Sequence, residues 1–177
     1  MRVLTTAVLL AAAAVTAEAQ TPSGSHHAPG QAGGHLEAQR CAESFERIVA
    51  EGRGFGMAFP ADQNGYPGPM HTLELRDALA LTRDQERQIR ALQEAMFAES
   101  RPKSAALLGA EAQLRQMFQK GTATEESVRT QVAEVERLRS EVRLVHLLFH
   151  LKTRDVLTER QRAIYHEQRW TQAAVGR

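Results

Sequence analysis

Two histidines stand four residues apart in "VHLLFH" (145–150), inside an otherwise apolar run. On a helix, residues i and i+4 are neighbours on one face. His146 and His150 placed in that way can hold one Zn, Ni, Co or Cu ion. The same pair can also be filler at a bundle edge, since seven histidines in the chain make a chance pairing easy. Catalysis fits less well. A His-Glu-x-x-His protease needs a carboxylate beside its first histidine as general base. Here the intervening residues are Leu147, Leu148 and Phe149. No Gly-x-Ser-x-Gly elbow occurs, and the single cysteine, Cys41, lies in a weakly patterned segment. Neither an enzyme activity nor an organic cofactor is expected.

The elements that must position the pair read as helices. From Met70 onward the chain has one proline, Pro102, until its end, and is rich in Ala, Leu, Glu, Gln and Arg. Strand patterns are absent, so the class is all-α. "LTRDQ" (81–85) and "LTERQ" (157–161) both carry a Thr followed three residues later by Gln. That is a capping box, in which the Thr hydroxyl accepts from the third amide and the Gln side chain returns the bond. Thr82 and Thr158 therefore each begin a helix. Thr122, with Glu125 three residues on, reads as a third start after the breaker Gly121. Four helices follow, at about 71–79, 83–119, 123–155 and 159–172. Pro102 is expected to kink or interrupt the second.

The third helix would be roughly 48 Å long. Its apolar stripe is Val128, Val132, Val135, Leu138, Val142, Val145 and Phe149; the second offers Ile89, Leu92, Met96, Leu107, Leu114 and Phe118. Joined by "KGTAT" (120–124), the two form a long antiparallel hairpin. So thin a body cannot bury all its apolar surface, and a homodimer, or an apolar face open to clients, is expected. His146 and His150 flank the stripe, where a neighbouring helix or chain can add a ligand.

The N-terminal third has a different character. Arg2 and "VLLAAAAVTA" (8–17), followed by small residues at "AEAQ" (17–20), read as a signal peptide over 1–19. A periplasmic protein without stable membrane insertion is expected. Residues 20–69 read as a Gly- and Pro-rich, disordered segment with a short helix near 36–51, on which Cys41, Phe45 and Ile48 share a face. His26, His27 and His35 there read as polar linker residues, the alternative being a loose gathering of metal. "GRGFG" (52–56) is no phosphate loop, because no Gly-Lys-Ser/Thr follows it. The helical domain then spans 70–173, with a tail at 174–177. A net charge of +1 argues against nucleic acid as a partner. Cys41 has no internal disulfide partner and is not in a lipobox or a haem motif.

The paired Leu-Thr-x-x-Gln motifs, bracketing a helical hairpin after a signal peptide, resemble the Spy/CpxP family of periplasmic proteins over about 70–172. "LVHLLFH" followed by "VLTERQRAIYHEQR" resembles its heavy-metal-resistance and metal-sensor (CnrX/ZraP-like) branch. The resemblance implies a hook-shaped, dimeric hairpin. It also implies ligands at His146 and at His150, the latter where the sensors carry Met. His71 stands alone where they carry a His pair, and Glu94 lies near their Glu position. His166 of a dimer mate is a further candidate, and Met70 beside His71 adds a soft thioether suited to copper. Two functions remain open. One is a metal-binding sensor or resistance protein using Zn, Ni, Co or Cu, signalling to an envelope partner. The other is an ATP-independent chaperone holding unfolded periplasmic clients on an apolar helical face.

Overall fold

The computed structural model describes residues 31–171. The expected signal peptide over 1–19, His26, His27 and the expected 174–177 tail lie outside them. Among the described residues the chain is all-helical, with no strand. The helices are α1 (Gln31–Ala50), α2 (Phe59–Asp62), α3 (Pro69–Glu74), α4 (Arg83–Gln119), α5 (Glu125–Val156) and α6 (Glu159–His166). A π-helical turn, Glu167–Thr171, follows α6. None of these helices is long and apolar enough to cross a membrane.

Helices α4 and α5 pack side by side in opposite directions. Ile89 near the start of α4 clusters with Leu157 just past the end of α5. Met96 meets Val145 and Phe149, and Leu107 and Ala110 meet Val135, Leu138 and Val142. Sequence numbers rise on one helix as they fall on the other. The expected stripe supplies most of this core, although Val132 and Phe118 remain exposed toward the hairpin tip.

Three local expectations need correction. Helix α5 begins at Thr124, not Thr122. The Thr124 hydroxyl accepts from the Ser127 amide at 3.2 Å, and Ser127 Oγ accepts from the Thr124 amide at 3.0 Å. Gly121, with φ +65°, ends the preceding helix, and the chain needs two more residues to reverse. Thr122 instead donates to the Met117 carbonyl. Secondly, α3 is shorter than the span 71–79. It starts at Pro69, a favoured first-turn residue, and stops at Glu74. Thirdly, of the kink or interruption expected at Pro102, the interruption does not occur, and α4 continues through it. Proline removes the donor to the Ala98 carbonyl, but Ala98 and Pro102 are both exposed, so water can reach that group.

The two Leu-Thr-x-x-Gln motifs do form capping boxes at Thr82 and Thr158. They also meet. Gln85 Nε2 donates to Gln161 Oε1 at 2.9 Å, and Gln161 Nε2 donates back to Gln85 Oε1 at 3.0 Å. Gln85 further donates to the Val156 carbonyl, and Gln161 to the Leu79 carbonyl. One amide pair thus ties both helix starts, the end of α5 and the turn before α4.

The segment expected to lie outside the helical domain packs on it. Helix α1 already spans 31–35, where disorder was expected, and lies against α4. Its core contact is Val49, fully buried against Leu107 and Val142, while Cys41 is exposed. The turn-rich 51–69 stretch then lies over the middle of the hairpin. Ala58, Asp62, Pro67 and Pro69 are buried in it. Ser100, a small residue on α4, is buried beneath it and donates to the Gly52 carbonyl at 2.7 Å.

Candidate functional site

His146 and His150 are not on an open flank. They are 4% and 7% exposed, under the 51–69 stretch. Their neighbours are two glycines. A Cβ on Gly54 would lie 2.9 Å from the His146 ring, and one on Gly68 would lie 2.7 Å from His150 Nε2. Only a residue without a side chain lets the backbone come this close. "GRGFG" and "NGYPGP" therefore act as the cover of the histidine pair, beyond their role as breakers.

The His150 ring is held in one tautomer. His150 Nδ1 lies 2.6 Å from the Tyr66 carbonyl. A carbonyl only accepts, so Nδ1 carries the proton and Nε2 keeps its lone pair in the neutral ring. Burial lowers the His150 pKa, against the opposing pull of that hydrogen bond. The His146 pKa is lowered to about 4, first by burial and then by the neighbouring His150. The nearby Gly52 carbonyl partly offsets this. His146 Nε2 is buried and has no hydrogen-bond partner. A neutral imidazole held on a backbone carbonyl through one nitrogen, as His150 is on Tyr66, is the form in which histidine binds metals.

Both rings line a cavity of about 430 Å³. Its other walls come from the cover, from α4 and from the end of the chain: Phe55 and Phe59, Met96 and Phe97, Arg169 and Trp170. Trp170 packs edge-on against Phe59, and its buried Nε1 is the cavity's second polar atom without a partner. Asp62 also faces the cavity. Its carboxylate accepts from the Tyr165 hydroxyl and, at 2.8 Å, from Arg169 Nε. Burial, followed by the Asp62 charge, raises the Tyr165 pKa, so the phenol stays protonated.

The other candidates divide. Met70 and His71 line the cavity, and His71 Nδ1 lies 2.8 Å from Glu74 Oε2. Glu94 is exposed on α4 and is not among the lining residues. His166 is exposed at the end of α6 and is likewise outside, as is His35 on α1. No group of three or more His, Cys, Asp or Glu side chains among the described residues stands ready to hold a metal. Sequence reasoning missed Met96, Asp62, Arg169 and the two covering glycines. Met96 reads as an ordinary core residue. Asp62 and Arg169 are 107 positions apart, and no periodicity links them.

Comparisons with family models, with curated proteins and with solved structures found no match to this chain.

Proposed function

We propose that this protein is a periplasmic metal-binding sensor or resistance protein of the Spy/CpxP-like class, taking a transition metal in the cavity over α5. His146 and His150 are its first ligands, and His71 is the candidate third. The observation that carries this reading is the buried, unpartnered Nε2 of His146. Leaving such a nitrogen unsatisfied costs about 1–3 kcal/mol, and a metal ion uses it. The Tyr66 carbonyl orients the second ring in the same way that outer-shell groups orient metal-bound histidines. Metal binding would stabilise the arrangement in which the 51–69 cover rests on α5, which is how a sensor transmits occupancy. Calorimetric titration of the protein with Zn, Ni, Co and Cu tests it. The double variant His146→Ala, His150→Ala should lose binding, and unchanged stoichiometry would sink the reading.

A second reading has its own observation. Leu144, Leu148 and Leu151 are 41–55% exposed and succeed each other along α5 at helical spacing. An open apolar stripe suits an ATP-independent chaperone holding unfolded clients, or the homodimer of a hook-shaped hairpin. Suppressed aggregation of a reduced model client at near-stoichiometric ratio supports the chaperone. No suppression in large excess removes it.

A further inference from the structure

The donors available in the cavity select among metals. The one carboxylate lining it, Asp62, is 6% exposed, and its two oxygens are taken by Tyr165 and the Arg169 guanidinium. Glu74 faces His71 Nδ1, and Glu94 lies elsewhere. Two guanidinium groups, Arg53 and Arg169, stand in the same walls. A metal ion entering here meets neutral donors and nearby positive charge. The cost of taking an ion out of water grows with the square of its charge, so a dication loses about four times as much as a monocation. Nothing anionic in the cavity is free to offset that.

The donors are also soft. Met70 and Met96 line the cavity together with His146 and His150. Met96 is 5% exposed and comes from α4, opposite the histidines' helix, while Met70 comes from α3. Thioethers and imidazoles together are a donor set for monovalent copper, which accepts few ligands and needs no carboxylate. Zinc, nickel and cobalt prefer sets with more imidazole, carboxylate or thiolate, and no such group of three is present among the described residues.

We propose that the cavity is a soft-metal site selective for monovalent copper, with the thioethers of Met70 and Met96 completing the set begun by His146 and His150. This rests on the metal-binding reading above and adds the metal and two ligands to it. The test is an anaerobic titration of the protein with Cu(I) against a chromophoric Cu(I) chelator, beside Zn, Ni and Co titrations. Copper-edge X-ray absorption on the loaded protein supplies an independent readout. The expected results are about one Cu(I) held at least about tenfold more tightly than any of the divalent ions, and sulfur as well as nitrogen neighbours at the copper. Met70→Leu with Met96→Leu conserves volume and should weaken Cu(I) by about tenfold or more, a larger loss than for any divalent ion. If Zn, Ni or Co is held as tightly as Cu(I), or the copper shows no sulfur neighbour, the copper proposal falls and the metal-binding reading stands. If no ion binds at all, both fall.

Discussion

At the residue scale, the state of His146 has a consequence for stability. Its pKa falls from the ordinary 6.5 to about 4 on folding, mainly through burial. The unfolded chain therefore binds this proton more readily than the native protein does. The sign follows: the stability is fully present above the unfolded value and is lost as pH falls from 6.5 towards about 4. The loss is about 3 kcal/mol at the lower end, and His150, shifted the same way, adds to it. Denaturant midpoints taken across this range should fall steadily, and a flat profile would mean that the histidines are solvated. His146→Leu should flatten much of that slope. It removes a buried nitrogen without a partner, so at neutral pH its stability should stay within about 1 kcal/mol of wild type, with metal binding weakened. A much larger loss would mark His146 as a structural histidine packed under Gly54.

At the element scale, the helix starts and the amide pair between them set the geometry. Thr124→Ala should cost about 1 kcal/mol, as loss of an N-cap does, and Thr122→Ala only a few tenths. The reverse order in thermal unfolding would return the start of α5 to Thr122. Gln161 is 9% exposed and serves its own cap, Gln85 and the Leu79 carbonyl at once. Gln161→Ala should therefore cost about 2–4 kcal/mol, more than a cap alone, because several buried groups lose their partners together. A cost no larger than that of Thr158→Ala would show that the pair adds nothing beyond capping. Two weak local motifs are thus parts of one tertiary contact, which accounts for their recurrence in the sequence.

At the scale of the whole molecule, the cover on one side and the leucine stripe on α5 differ in kind. The cover closes over the histidines from within the chain. Leu144, Leu148 and Leu151 remain open. If the stripe pairs two protomers, sedimentation should report a dimer, and Leu148→Arg should shift it to monomer without lowering helicity. A wild-type protein that sediments as a monomer at high concentration would leave the stripe to clients. The salt bridges, mostly within one helix and exposed, decide little here. The fold is held by the apolar seam between α4 and α5 and by the 51–69 stretch upon it.

The helices themselves were legible in the sequence because their causes are local. Periodicity, good helix formers and Thr-x-x-Gln boxes act within a few residues, and they placed α4 over its full extent and α5 to within two residues at its start. The histidine pair was legible for the same reason, as an i,i+4 spacing. The start of α5 was missed by two residues, since two adjacent threonine boxes competed and the reversal after Gly121 chose between them. What covers the pair was decided only by tertiary structure. Glycines 54 and 68, Met96 on the facing helix, and Asp62 paired to Arg169 reach the cavity through loop path and helix packing, which leave no short-range pattern. The sequence by itself determined that two imidazoles share a helix face. Only the packing of the 51–69 stretch onto α5 decided that they are buried and neutral, because desolvation and close backbone approach exist only once distant segments meet.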